Sequence, residues 1–294
     1  MMHWSAITHH ISQARGAPFQ LETQASVGGG CINSAYRLHG RDGDYFVKLN
    51  RADRHAMFVA EAAGLAELAK AQAVRVPAPL CTGVCDDQAY LVMEFIALAR
   101  HDSAQSMRRL GEQLAQLHRY TAAQCGWQHD NTIGSTPQLN HWTAVWPDFW
   151  REQRLGYQLR LAAEHGLAPR VLRKGEHVQN KMAVLFIDYQ PVASILHGDL
   201  WGGNVGVTDQ GQPVIFDPAV YFGDRETDLA MTELFGGFSA EFYAAYRATW
   251  PLAEGYSQRK TLYNVYHVLN HFNLFGGSYA AQAEDMLDRL LAEF

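Results

Sequence analysis

Residues Ile195–Val207 read ILHGDLWGGNVGV, an apolar segment interrupted by His197, Asp199 and Asn204. Ile195 and Leu196 read as the end of one buried strand, and Val205 and Val207 as the start of another. Gly198, Gly202 and Gly203 let the backbone turn between them. Carboxylate and amide groups in such a place cost desolvation energy unless they bind something. A loop carrying them on a rigid scaffold is where chemistry is usually found.

The pattern changes along the chain. Up to residue 96 it reads mostly as strands and turns: Phe19–Val27, Ser34–Gly40 and Asp44–Asn50, with Arg41-Asp42-Gly43 as a hairpin signal. Phe58, Ala62, Leu65 and Leu68 recur at helical spacing and predict one amphipathic helix over His55–Gln72, closed by Pro77 and Pro79. Ala89–Ile96 is an apolar run of strand length. From residue 97 the pattern is helical, with a first helix capped near Ser103 and further helices over Phe149–Gly166, His177–Asp188 and the tail Ser239–Phe294. Asp209–Gln212 reads as a turn between two short strands. The expected fold is therefore α+β and two-lobed. A small, mostly antiparallel β lobe with one helix (1–96) precedes a larger helical lobe (97–294), with a hinge and a cleft between them.

Composition narrows the function classes. The chain has 294 residues, enough for one large or two ordinary domains, and 48% hydrophobic residues, as in a globular protein. A net charge of −6 without a Lys/Arg run argues against a nucleic-acid partner. No apolar run reaches membrane-spanning length and the N-terminus lacks a signal-peptide core, so no membrane partner and a cytoplasmic location are expected. The four cysteines, Cys31, Cys81, Cys85 and Cys125, form neither a zinc pattern nor a disulfide framework.

Asp199 and Asn204 lie five positions apart, and Asp217 opens the loop after the apolar stretch VIF. Phosphoryl transfer needs this set: one carboxylate takes the proton of the attacking hydroxyl, while an amide oxygen and a second carboxylate hold Mg2+ on the phosphates of ATP. An H-G-D triplet alone is also a turn in which the Asp caps backbone amides. Lys48, on the third predicted strand, and Glu61, on the following helix, have the order of a phosphate-contacting lysine and its partner. Gly28, Gly29 and Gly30 fall between the first two strands, where a glycine-rich loop would cover phosphates.

With these residues the chain resembles the fructosamine kinase family of protein-kinase-like small-molecule kinases, close in fold to the aminoglycoside phosphotransferases. The similar segments include VGGGCIN, FVKLN, AEAAGL, LVMEFI, CGWQHDNTIGSTPQLN, LHGDLWGGN, IFDPAVYFGDRETDLAM and LNHFNLFGG. The resemblance implies that Asp199 is the catalytic base, that Asn204 and Asp217 ligate magnesium, and that Glu61 orients Lys48 on the phosphates. It further implies that Glu94 and Ile96 meet adenine through hinge backbone groups and that Asp228 braces the catalytic loop. Trp201 is either a core residue or a platform for a sugar, and His271 and Asp130 face the substrate or make structural hydrogen bonds. Cys31 is either a small loop residue or, as the resemblance implies, a redox site linking two copies of an otherwise monomeric chain. Asp217-Pro218-Ala219 replaces D-F-G and no A-P-E follows, which argues against a protein substrate gated by loop phosphorylation.

The implied activity is phosphorylation by ATP of the 3-hydroxyl of a protein- or amine-bound ketosamine, a fructosamine or ribulosamine. The 3-phosphate then makes the ketoamine unstable, which is deglycation repair. A kinase of an aminoglycoside or choline-like alcohol, a nucleotide-binding pseudokinase and a metal-dependent hydrolase using His197 and Asp199 are the competing readings.

Overall fold

The computed structural model describes residues 4–28, 32–99 and 102–294. Five antiparallel strands, β1 (Leu21–Val27), β2 (Ser34–Gly40), β3 (Gly43–Arg51), β4 (Pro79–Cys85) and β5 (Gln88–Glu94), form one sheet in the order β1-β2-β3-β5-β4. The β2–β3 hairpin turns at Arg41-Asp42, as the sequence predicts, with Gly40 opposite Gly43. Pro79 opens the edge strand β4, where a missing N–H costs no ladder bond. It lies beyond the end of the helix, as the sequence predicts, and also begins the next strand.

Strand alternation gives this sheet two apolar faces. Leu38, Val47, Leu49, Tyr90 and Val92 point outward, where α1 (Trp4–Arg15) covers them with Ile7 and Ile11, one helical turn apart. This is a second helix beside the one expected. Leu91 and Met93 point the other way and share one core with Phe58, Leu65 and Leu68 of α2 (His55–Lys70). That core continues without a break into α3 (Ala104–Leu117) through Leu110 and Leu114. The reciprocal Ser103–Ser106 capping bonds start α3 at the predicted cap.

The short hairpin β6 (Asn131–Ile133) and β7 (Thr136–Gln138) follows. The helix expected over 149–166 is three pieces: α4 (Trp146–Phe149), a π-helical turn (Trp150–Leu155) and α5 (Gly156–Glu164). The next helix, α6, covers Pro169–Lys181 rather than 177–188, because Pro169 is suited to a first helical position. Two short ladders then carry the polar loops: β8 (Ser194–Leu196) pairs with β11 (Tyr221–Gly223), and β9 (Val205–Val207) with β10 (Pro213–Ile215). Then comes α7 (Glu226–Leu234), and the tail forms α8 (Ala240–Thr249), α9 (Tyr256–Phe275) and α10 (Tyr279–Ala292). A buried two-pronged ion pair, Arg259 to Glu226 at 2.7 and 3.0 Å, joins α9 to α7. No described helix is long and apolar enough to cross a membrane.

Candidate active site

The loop after β8 is shaped by bonds to its backbone. Asp228 on α7 accepts the N–H groups of His197 (2.7 Å) and Gly198 (2.9 Å), and His118 Nε2–H at 3.2 Å. Burial works to raise the pKa of Asp228, but the His118 bond, the nearby imidazoles and the Gly198 N–H outweigh it and hold the group below its ordinary value. Gly198 has φ +83°, and a Cβ there would lie 2.0 Å from the Ala219 carbonyl oxygen. Gly198→Ala adds left-handed strain to that clash, so a stability loss of at least about 2 kcal/mol is expected. A calorimetric Tm should fall by roughly 4 °C or more.

His197 is fully committed inside the loop. Its Nε2–H donates to the Phe216 carbonyl at 2.9 Å and its Nδ1 accepts the Asp199 N–H at 3.3 Å. Burial lowers its pKa, so the ring is a neutral structural strut. Neither nitrogen is left to ligate a metal, and no cluster of three or more His, Cys, Asp or Glu ligands is present among the described residues. The hydrolase reading built on His197 and Asp199 therefore lacks its ligands.

Asn204 donates from Nδ2 to the Asp199 carbonyl (2.8 Å) and, more weakly, to Asp199 Oδ2 (3.4 Å). Asp199 is half-buried. Enclosure and the charge of Asp217 raise its pKa to about 7, against the lowering effect of the Asn204 bond.

Lys48 collects the distant parts. Its ammonium lies 2.5 Å from Glu61 Oε1 on α2 and 2.6 Å from Asp217 Oδ1 after β10. The Lys48 and Glu61 side chains are nearly buried, whereas Asp217 is 46% exposed. Burial alone would lower the Lys48 pKa, but the two carboxylates reverse this and keep it charged. Asp217 adopts φ +59°, an uncommon left-handed conformation for a residue other than glycine. The residues after it are held fast. Ala219 N–H donates to the His197 carbonyl (2.8 Å), while Gln138 and Asn131 donate to the carbonyls of Ala219 (3.0 Å) and Val220 (2.8 Å). Sequence reasoning missed Asn131 and Gln138 as supports. The signal was present, since they are polar residues of the HDNTIGSTPQLN segment that become half-buried and buried.

The remaining candidates divide. Trp201 is 41% exposed and lies against Gly203, so it is not a core residue. Asp130 is exposed and its Oδ1 accepts the Asn140 N–H at 2.8 Å. His271 donates from Nδ1 to the His267 carbonyl (2.8 Å) and sits among Phe235, Phe275 and Tyr279. Glu94 ends β5. Its N–H bonds to Ala78 O (2.8 Å) and its carboxylate to Arg75 (2.5 Å). Ile96 follows two residues later, and Gly28 follows β1 directly. Gly29, Gly30 and Cys31 lie outside the described residues. Burial pushes the Cys81 thiol up to about 11 and, with the Asp224 charge adding to it, the Cys125 thiol up to about 12.

Similarities to known proteins fit this geometry. The profile of the fructosamine kinase family matches residues 3–293. A probable ketoamine kinase of Synechocystis is 51% identical, with 98% of this chain and 97% of that one aligned. The chloroplastic protein-ribulosamine 3-kinase of Arabidopsis thaliana is 41% identical over 94% of this chain and 85% of that one. Among solved structures, a Haemophilus somnus protein assigned as a fructosamine-3-kinase superposes with a TM-score of 0.90 at 30% identity, over 98% and 97% of the two chains. Aminoglycoside phosphotransferase APH(4)-Ia, at 15% identity, shares the two-lobed kinase-like fold.

Proposed function

The chain belongs to the fructosamine kinase family, and from that premise we propose that it is a ketosamine 3-kinase, transferring the γ-phosphoryl group of ATP to the 3-hydroxyl of a fructosamine or ribulosamine. The observation that carries this reading is the grip of Glu61 and Asp217 on one buried ammonium, Lys48, beside a carboxyl of raised pKa, Asp199. ATP would lie between residues 1–96 and 97–294, with adenine against the backbone of Glu94 and Ile96 and its phosphates toward Lys48 and Gly28.

Each residue then has a task. Asp199 takes the proton of the attacking 3-hydroxyl as the oxygen meets the γ-phosphorus. Asn204 holds Asp199 in place through Nδ2, and its Oδ1 makes no hydrogen bond among the described residues. That free amide oxygen and the exposed Asp217 carboxylate are hard oxygen donors that suit Mg2+, which commonly takes one or two protein ligands and completes its shell with phosphates and water. When bound, the ion would neutralise phosphate charge. Lys48 contributes a fixed positive charge toward the α and β phosphates, and Glu61 prevents it from swinging away. The exposed Trp201 ring, two residues after Asp199, offers an apolar face to sugar C–H groups.

Incubation with Mg-ATP and a panel of ribulosamines, fructosamines, aminoglycosides and choline, followed by ADP release, tests the assignment. ADP release with ketosamines and 3-phosphorylated product are expected. Turnover confined to another alcohol would overturn it, and binding without any turnover would make the chain a pseudokinase.

The raised pKa of Asp199 carries a pH signature. Below about pH 7 the carboxyl holds its proton and has no room for another. The kcat/KM should therefore rise about tenfold per pH unit up to about 7 and level off above it. A flat profile between pH 5.5 and 8 would contradict the general-base role.

A further inference from the structure

Glycine in the interior of a helix costs stability relative to alanine, so it calls for a local reason. Gly64 stands in the middle of α2, three residues after Glu61 and on the same face. A Cβ at Gly64 would lie 3.1 Å from Val220 Cγ2, 3.4 Å from Val220 Cβ and 3.8 Å from Pro218 Cγ. The helix backbone thus rests directly on the segment that follows Asp217. That segment is fixed through the bonds of Ala219 to His197 and Gln138, and of Val220 to Asn131.

One turn further along, α2 is tied down again. Glu67 is 7% exposed and accepts the Tyr120 hydroxyl at 3.2 Å. Tyr120 in turn accepts the Ile195 N–H through its carbonyl at 2.8 Å, at the strand leading into the Asp199 loop. Helix α2 is therefore seated on the segment after Asp217 and tied, through Tyr120, to the strand that leads to Asp199.

We propose that Gly64 is a positioning residue: its missing side chain lets α2 seat on Pro218–Val220, and this contact sets the spacing at which Glu61 and Asp217 both grip Lys48. The lysine is then held ready without nucleotide and without modification of a loop. The inference rests on the reading of Lys48 as the phosphate-contacting residue. It adds that the depth of the α2 seat, a contact outside the reacting groups, sets the rate.

The test is a pair of substitutions with a complementary rescue. Gly64→Val drives methyl groups into Val220, and Val220→Ala opens the space again. Gly64→Ala is the milder wedge should the valine variant fold poorly. For folded Gly64→Val, kcat is expected to fall tenfold or more and KM for ATP to rise at least threefold, with KM for the ketosamine unchanged. The same changes, smaller, are expected of Gly64→Ala. Gly64→Val/Val220→Ala should return to within threefold of the wild type in kcat. A smaller folded fraction would lower the rate and leave both KM values alone, so the rise in KM for ATP separates positioning from mere stability. Calorimetric titration of each protein with Mg-ATP reads the same seat without any acceptor. It still decides the matter if the wild type turns over no ketosamine, the result that would instead sink the proposed function. Unchanged ATP affinity and kcat in folded Gly64→Val, or a double variant that regains Tm but not kcat or ATP affinity, would overturn the inference.

Discussion

Asp199→Asn is expected to lower turnover by about a hundredfold or more, the range typical of a general base, while leaving Mg-ATP affinity within about threefold of the wild type. The replacement is nearly isosteric. The loop is held by Asp228 on the backbone of His197 and Gly198, and by Asn204 on the carbonyl of residue 199, none of which needs the carboxylate. What disappears is the proton acceptor beside the nucleotide site. The carboxamide also cannot titrate, so any residual activity should lose the rise towards pH 7. Steady-state kinetics together with calorimetric ATP binding measure both halves. Near-normal turnover, or activity lost together with ATP affinity, would remove Asp199 from the role of base.

The second large effect concerns Asp217. Its left-handed backbone makes Asn the informative replacement, because Asn tolerates that conformation better than Ala. Wild-type protein at a hundredfold excess of Mg-ATP over Kd should gain about 2.7 kcal/mol, a rise of roughly 5–10 °C in Tm. In Asp217→Asn the extra gain due to magnesium should vanish, leaving only the shift produced by ATP with a chelator, and turnover should be lost with it. Lys48 keeps its 2.5 Å contact with Glu61, so the variant should fold. If Mg-ATP raises the Tm of the variant as far as that of the wild type, the metal is held elsewhere.

Local chemistry was legible in the sequence. The Arg41-Asp42-Gly43 turn, the Ser103 cap, the pairing of Val205–Val207 with Pro213–Ile215 and the spacing of Asp199 and Asn204 are dictated by neighbours a few residues away. A hydrogen bond or a turn closed over so short a span leaves the chain few alternatives. Lys48 and Glu61 could be nominated for the same reason, since strand and helix are adjacent in the chain.

What depended on distant contacts was not legible. The α1 helix has only Ile7 and Ile11 to bury, and its place became visible only once the sheet offered Leu38 and Val47 opposite them. Asn131 and Gln138 look like loop residues until they meet the carbonyls of Val220 and Ala219. Gly64 looks like a weak point in a helix until Val220 arrives against it. Residue type and short spacing are enough to nominate the groups that could do phosphoryl chemistry. That Asp217 shares an ammonium with Glu61, and that the Asp199 pKa is raised to about 7, emerges only from the folded chain. The first joins segments more than a hundred residues apart and the second needs the Asp217 charge and burial that folding brings to Asp199, because electrostatic energy follows distance through space rather than along the chain.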